Sequence, residues 1–168
     1  MNNELLDLIV NSVALGVGAT IVMDFWAFIL QRLMGIAPFN YALVGRWLAH
    51  IGKGVFRHDN IATAKPVTAE LVIGWAAHYS IGVVFAAALI MLVGNEWISA
   101  PSVIPAIIFG ILTVGFPFFI MQPGMGFGIA ASKSPKPNVA RFRSLLTHFI
   151  FGLGLYFSAT LNSLFLMH

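Results

Sequence analysis

The sequence predicts an all-α membrane protein with four transmembrane helices packed as an antiparallel bundle. The first observation is composition: 59% of the 168 residues are hydrophobic and 9% are charged, whereas about a quarter of the residues in a soluble domain are charged. The second observation is that the apolar residues lie in four long stretches, at about 8–30, 71–93, 103–122 and 145–167. A helix of about 20 residues is long enough to cross a hydrocarbon layer of about 30 Å.

Helices are expected in these stretches because backbone amides in lipid must be paired within their own segment. The alternating pattern of a membrane β-barrel is not present in the sequence. The remaining residues are too few for a separate soluble domain, so residues 1–168 are predicted to form a single integral-membrane domain. The chain has no cysteine, which excludes disulfides, thiolate catalysis and cysteine-ligated metals.

The basic residues predict how the chain is oriented. All nine Lys and Arg residues lie in or beside two of the three connections between spans. Because positive charge is retained on the cytoplasmic side, both connections are predicted to be cytoplasmic and both termini periplasmic, that is, N-out and C-out. This distribution also explains the basic pI, so the expected partner is the lipid bilayer and no nucleic acid is expected. The residues are Arg32, Arg46, Lys53, Arg57 and Lys65, then Lys133, Lys136, Arg141 and Arg143.

The first cytoplasmic connection, residues 35–70, is predicted to contain a short amphipathic helix on the membrane surface. Its apolar residues recur at helical spacing, with basic residues alongside. Two histidines and an acid in this connection are expected to be solvated or to face lipid headgroups, with a contribution to a polar site as the alternative. The apolar residues are Phe39, Leu43, Trp47 and Ile51, and the polar ones are His50, His58 and Asp59.

A short outer turn, residues 94–101, makes the second and third spans an antiparallel hairpin. Four tryptophans near the span boundaries are expected to lie at the membrane interface as anchors: Trp26, Trp47, Trp75 and Trp97. The third span is predicted to be interrupted, because Pro117 lies within it and Pro123 follows with three alternating glycines. The glycines neither follow a strand nor begin a βαβ unit, which excludes a nucleotide-binding loop.

Basic residues at the predicted cytoplasmic face are candidates for binding lipid headgroups. Ordinary topological charge is the simpler explanation for them. Glu70, at the start of the second span, is expected to neutralise either Arg46 or Arg143. The candidate headgroup-binding residues are Lys133, Arg141, Arg143 and Arg46.

Three ionisable residues, Asp24, His78 and His148, lie within the spans, where charge is costly. Counted from the nearest cytoplasmic boundary at about 1.5 Å per residue, all three are roughly 7–12 Å inside the membrane. Gln122 of the third span lies near the same depth. Small residues beside them let helices approach closely, so we expect a polar layer inside the bundle. On the second span this stripe is Gly74, His78, Gly82 and Ala86.

Four interpretations of this layer are open. It can be a purely structural hydrogen-bond network. It can bind a divalent metal through Asp24, His78 and His148, although no paired-histidine spacing supports such a site. It can relay protons, because histidine titrates near neutral pH. Haem held by His78 and His148 is the least favoured, because bulky residues flank both histidines.

Five runs of sequence carry a family resemblance: 22–26, 40–47, 74–79, 122–123 together with 126–133, and 143–148. They resemble a bacterial family of four-span inner-membrane proteins known as a domain of unknown function, family 2938. The resemblance covers nearly the whole chain and includes Asp24, His78, His148 and Gln122. It implies the four-span fold and an inner-membrane location, and it supplies no activity and no catalytic residues.

Three functions follow from these observations. The favoured one is a small transporter or permeation unit that binds a proton or cation at the polar layer, as a homo-oligomer because four helices enclose little volume. The second is a membrane enzyme that acts on a lipid or quinone-like substrate with a metal or an acid–base pair. The third is an accessory or assembly subunit in which the polar layer only fixes packing. These three functions leave open whether the protein is an enzyme.

Overall fold

A computed structural model describes residues 2–166, with the side chains of residues 4–164. Four of its helical stretches are long and apolar enough to cross a membrane: Glu4–Met34, Glu70–Val93, Val103–Met125 and Pro137–Leu164. No strand occurs among the described residues, so the predicted all-α, four-span fold is confirmed. Met167, at the end of the predicted fourth span, lies outside the described residues.

Seven α-helices occur in the described part of the chain. The first span is α1, the second α3 and the fourth α7, while the third span is built from α5 and α6 with a π-helical stretch, Pro117–Met121, between them. Short 3₁₀ turns lie at Ile61–Thr63 and Ile129–Ala131. The α-helices are α1 (Asn2–Met34), α2 (Tyr41–Ile51), α3 (Glu70–Val93), α4 (Glu96–Ser99), α5 (Val103–Leu112), α6 (Gln122–Met125) and α7 (Pro137–Leu166).

The chain divides into two compact units, each built from separated stretches of sequence. The first unit comprises Met1–Pro38, Tyr79–Leu112 and Thr147–His168, and the second comprises Phe39–His78 and Thr113–Leu146. The single domain expected from the sequence stays a prediction.

The first unit is held together by apolar side chains and by direct backbone contact between helices. Leu15, Leu89 and Leu155 are at most 1% exposed and lie in one hydrophobic core. A Cβ atom at Gly110 would lie 2.5 Å from the Cα of Gly152, which is far inside van der Waals contact. Glycine at these positions therefore lets α5 and α7 touch through their backbones.

The second unit has a smaller core and more polar contacts. The predicted amphipathic helix is confirmed as α2, which begins after Asn40, whose side-chain oxygen accepts a hydrogen bond from the Ala42 amide at 3.1 Å. Trp47, Ile61 and Met125 form the buried centre of this unit.

Two of the tryptophans expected at the membrane interface are buried within the protein, and their position at the interface stays a prediction. The residues Trp47 and Trp97 are only 6% and 7% exposed within the protein. Each indole N–H donates to a backbone carbonyl, that of Phe56 at 3.0 Å for Trp47 and that of Ser102 at 3.1 Å for Trp97. An indole ring combines a large apolar face with one N–H donor, and a buried apolar site with a carbonyl acceptor accommodates both.

The predicted interruption of the third span is confirmed, and it takes the form of a π-helical stretch. The regular helix α5 ends at Leu112 and the π-helix begins at Pro117, because proline has no amide hydrogen for the α-helical bond. Such a widened turn is often found at functional sites. Gly126, at φ +93°, then ends the span in the left-handed conformation.

Candidate functional site

The first predicted site residue, Asp24, lies on α1 in the first unit and is bonded to α3. The hydroxyl of Tyr79 donates a hydrogen bond to Oδ2 of Asp24 at 2.9 Å, and both side chains are partly buried. The two helices are close because Gly16 of α1 faces the backbone of Val83, where an added Cβ would lie 2.5 Å from the Val83 Cα. Asp24 is two turns beyond Gly16 and Tyr79 one turn before Val83, so the long Tyr79 side chain, which leans toward the start of α3, spans the remaining turn to the acid.

The second predicted residue, His78, lies on α3 in the second unit and is bonded to α2. Its Nε2 atom is 3.0 Å from the hydroxyl of Tyr41, and the two ring centroids are 4.2 Å apart. A Cβ at Gly74 would overlap the carbonyl oxygen of Tyr41, and one at Gly45 would overlap that of Glu70. These two glycines let α2 pack directly on α3 one turn before His78.

His148 and Gln122 have different surroundings. His148, on α7 in the first unit, lies close to α5, since a Cβ at Gly110 would be 2.7 Å from the His148 carbonyl oxygen. Gln122, in the second unit, is 8% exposed, and its side-chain oxygen is buried without a hydrogen-bond partner among the described residues. A buried carboxamide oxygen without a donor is costly, which makes Gln122 a functional candidate in its own right.

Arg46 is the most extensively bonded side chain of the second unit. Its Nε and Nη2 atoms each donate to a carboxylate oxygen of Glu70 at 2.8 Å, in the two-pronged geometry that arginine favours. Its Nη1 atom donates to the carbonyls of Ile61, Ala62 and Ala64. The hydrogen bond with Glu70 raises the pKa of the Arg46 guanidinium against the opposing effect of burial.

Of the two partners that the sequence offered for Glu70, the structure therefore selects Arg46. The donors of Arg46 are directed at protein oxygens, and the residue is 9% exposed. We assign it a structural role: it holds the 3₁₀ turn 61–63 between α2 and the start of α3. We propose no headgroup contact for Arg46.

The other three headgroup candidates lie in the connection before α7 and in its first turns. Arg141 donates from Nε to the carbonyl of Ala130 at 2.9 Å and from Nη1 to the side-chain oxygen of Asn138 at 3.0 Å. Ala130 is left-handed, at φ +46°, which is strained for a residue with a side chain. Lys133 and Arg143 are exposed, and headgroup binding by these three residues stays a prediction.

Among the described side chains, Asp24 is hydrogen-bonded to Tyr79 and His78 to Tyr41. Among residues 4–164, no group of three or more His, Asp or Glu side chains is placed to hold a metal ion. A common polar layer, and the metal or haem it was considered to bind, stay predictions.

The tyrosines were missed by the sequence reasoning. Tyr79 was treated only as a bulky neighbour of His78, and Tyr41 only as part of a family-like run. A signal was available in the sequence, because Tyr79 follows His78 directly and a buried tyrosine hydroxyl usually finds a hydrogen-bond partner. Which partner it finds depends on the distance between helices, which no local pattern gives.

The four apolar helices and the polar pairs on them define a multi-pass membrane protein with titratable groups in its spans. Residues 13–162 match the family described as Protein of unknown function (DUF2938). Because the match covers most of the chain, the protein belongs to this family. No curated protein and no solved structure was found to be similar to it.

Proposed function

We propose that this protein is a small permeation unit that binds a proton or a cation at Asp24, in the first membrane span. The supporting observation is the hydrogen bond from the Tyr79 hydroxyl to the Asp24 carboxylate at 2.9 Å. An acid within an apolar span is costly and by default indicates a functional site. Asp24 is the only acidic residue between Asp7 and the end of α1, so its charge has no acidic neighbour on its own helix.

The chemistry of the Asp24–Tyr79 pair suits repeated uptake and release. A tyrosine hydroxyl donates to a carboxylate, and it can also accept from a protonated carboxyl group. The pair can therefore remain hydrogen-bonded in both protonation states of the acid. A cation that pairs with the carboxylate would neutralise it in the same way, because opposite charge lowers the cost of a charge in the membrane.

The pair formed by His78 and Tyr41 supports the same proposal. The Nε2 atom of a histidine accepts a hydrogen bond when it is unprotonated and donates one when it is protonated. The Tyr41 hydroxyl can be its partner in either state. His78 and Tyr79 are consecutive residues of α3. This one helix thus carries two side chains whose partners allow a change of protonation.

We propose that the permeation path is formed by a homo-oligomer. The interior of the first unit is filled, since Leu15, Leu89 and Leu155 are almost wholly buried and glycine backbones touch. A path through the centre of this unit would require these contacts to separate. Phe25 and Phe28, which lie beside Asp24 on α1, are 62% and 49% exposed and are available for contact with lipid or a second copy.

The proposed location is a bacterial inner membrane, with both basic connections on the cytoplasmic side. The distribution of all nine Lys and Arg residues supports this orientation. The fourteen-residue stretch 133–146 and the first connection would then face the cytoplasm.

The orientation is tested by labelling single cysteines, introduced at Lys53 and at Asn95, in intact cells. The experiment is clean because the chain contains no other cysteine. We expect an impermeant reagent to label the second position and not the first.

The function is tested by flux into liposomes that contain the purified protein. A proton gradient is imposed in the presence of Na⁺ or K⁺, and the internal pH and cation content are measured. We expect wild-type protein to carry flux above that of empty liposomes, Asp24→Asn to abolish it, and Tyr79→Phe to reduce it several-fold. A matched control is Asn11→Ala, which removes the 2.8 Å hydrogen bond from Asn162 to Asn11 between α7 and α1 without removing a titratable group.

The control decides between a functional and a structural role for the acid. Flux that survives in Asn11→Ala and is lost in Asp24→Asn supports the proposal. Absence of wild-type flux, or equal flux in wild type and Asp24→Asn, would contradict it. In that case a lowered stability of Asp24→Asn would favour the assembly role, and a lipid or quinone-like molecule that copurifies with the wild type alone would favour the enzyme.

A further inference from the structure

A histidine pair joins the end of α2 to the segment that follows it in the second unit. Nδ1 of His50 lies 2.8 Å from Nε2 of His58, and the two rings are stacked with centroids 5.0 Å apart. Both side chains are predicted from the sequence to be solvated or to face headgroups. In the structure they are partly buried and bonded to each other.

The segment that the pair holds is docked on the end of the third span. The backbone amide of His58 donates to the carbonyl of Gly124 at 2.9 Å. An added Cβ at Gly126 would overlap the carbonyl oxygen of Asp59. The indole of Trp47 donates to the carbonyl of Phe56, on the same segment. Residues 55–60 are thus fixed between α2 and the region where the third span ends.

Counting protons shows which charge state this arrangement favours. Nδ1 of His58 is buried and has no hydrogen-bond partner among the described residues. In the neutral pair, Nε2–H of His58 donates to the bare Nδ1 of His50, and Nδ1 of His58 carries no hydrogen. If the pair takes up one proton, either His58 becomes a cation or it accepts from a cationic His50. Both arrangements place a hydrogen on Nδ1 of His58, for which residues 4–164 provide no hydrogen-bond partner.

The charged groups around the pair do not reverse this preference. The negative charge of the Glu70 carboxylate attracts positive charge on His50. Both carboxylate oxygens, however, accept hydrogen bonds from the Arg46 guanidinium. On the segment, Arg57 opposes added positive charge and Asp59 favours it; Lys53, just before the segment, also opposes it. The end of the third span, residues 113–128, contains no charged residue.

We propose that the His50–His58 pair is a pH-sensitive switch: its protonation breaks the pair and releases residues 55–60 from the end of the third span. This inference goes beyond the proposed function and does not rest on it, because the release is a local structural change whether or not the protein transports anything. Histidine is the side chain whose charge ordinarily changes between pH 5 and 8. The switch therefore responds to acidification of the compartment that the first connection faces.

Hydrogen exchange of the peptide that covers residues 55–60 tests this proposal in the full-length protein in detergent. Rates are corrected for the intrinsic effect of pH. We expect exchange in the wild type to be about tenfold or more faster at about pH 5 than at about pH 8, because the His58 amide loses its acceptor. A peptide from the first unit, residues 84–92, serves as the internal reference and is expected to show no such difference.

The double variant His50→Asn with His58→Gln is the critical comparison. Asparagine places an acceptor near the position of Nδ1, and glutamine places a donor near that of Nε2, but neither titrates. We expect this variant to keep residues 55–60 protected at both pH values. His148→Gln, which removes a histidine of the first unit, is expected to retain the wild-type response.

A second variant tests the bond itself. His50→Phe removes one partner, so residues 55–60 are expected to exchange at about pH 8 as fast as those of the wild type at about pH 5. Acidification should then cause no further change. Equal wild-type protection at both pH values, or a wild-type response in His50→Phe or in the double variant, would overturn the proposal.

Discussion

The two units of this membrane protein use different means to hold their helices. In the first unit, large apolar side chains such as Leu155 fill the core, and glycines such as Gly110 bring backbones into contact. In the second unit, Arg46 and Trp47 donate hydrogen bonds to a carboxylate and to four carbonyls of the connecting segments. The core there is small, and much of its backbone is not in regular helices.

This difference has a physical reason. A helix satisfies its own backbone, so spans that pack on one another need only close contact and apolar filling. A connecting segment leaves its carbonyls unpaired unless a side chain or water supplies donors. Arg46, with five donors in a fixed plane, meets this need at Ile61, Ala62 and Ala64. The second unit is therefore expected to depend on single side chains more strongly than the first.

The largest effect is expected for Arg46→Met in the second unit. This change leaves the Glu70 carboxylate without its cation and three carbonyls without a donor, and breaking such a network is strongly destabilising. We expect the unfolding midpoint in detergent to fall by roughly 10 °C. Arg46→Lys should recover only part of the loss, because lysine cannot form the two-pronged bond.

Arg57→Ala is the matched control for this prediction, because Arg57 is an exposed arginine of the same unit. Its removal should leave the midpoint unchanged. Equal midpoints for Arg46→Met and Arg57→Ala would show that the second unit does not depend on the Arg46 network.

In the first unit, an intermediate effect is expected for Gly110→Ala. The added methyl group would lie 2.5 Å from the Gly152 Cα and 2.7 Å from the His148 carbonyl oxygen, so α5 and α7 must move apart. Overpacking of this kind costs about 2 kcal/mol, or roughly 6 °C in midpoint. Gly115→Ala in the third span is the control, since its methyl group would meet only Phe119, at 3.9 Å. Equal stability of the two alanine variants would argue against backbone contact in the first unit.

The smallest effect is expected for a Trp→Phe substitution made once in each unit. Trp47→Phe and Trp97→Phe each remove one buried indole N–H that donates to a backbone carbonyl. Each is expected to cost about 1 kcal/mol, or roughly 3 °C. The two changes should differ in hydrogen exchange: Trp47→Phe should increase exchange in residues 55–60, and Trp97→Phe should not. Increased exchange at 55–60 in both variants would contradict the division of the stabilising contacts between the units.

The parts of the fold that follow local patterns were predictable from the sequence. The length of the apolar stretches predicted the four spans, the helical spacing of apolar residues predicted α2, and Pro117 predicted the interruption of the third span. The stripe of Gly74 and Gly82 was expected to be a packing face of α3, and both glycines do lie against neighbouring backbone or side-chain atoms in their own units. The pairing of Glu70 with Arg46 was one of two predicted options.

The partners of the polar residues were not predictable. Depth along a helix indicated that Asp24 and His78 were unusual, but their bonds to Tyr79 and Tyr41 depend on which helices touch and at which glycine. The burial of Trp47 and Trp97, and the bond between His50 and His58, depend on how a connecting segment folds back. Such contacts join residues that are distant in sequence, and no periodic pattern reports them.

The proposed function requires that the Asp24 carboxyl group changes its protonation or its cation during the activity of the protein. Infrared difference spectroscopy of the protein in lipid tests it most directly, with spectra recorded before and after a change of pH or the addition of Na⁺ or K⁺. We predict a carboxyl band that responds to one of these changes, is absent in Asp24→Asn and is shifted in Tyr79→Phe. Identical difference spectra for wild type and Asp24→Asn would contradict the claim.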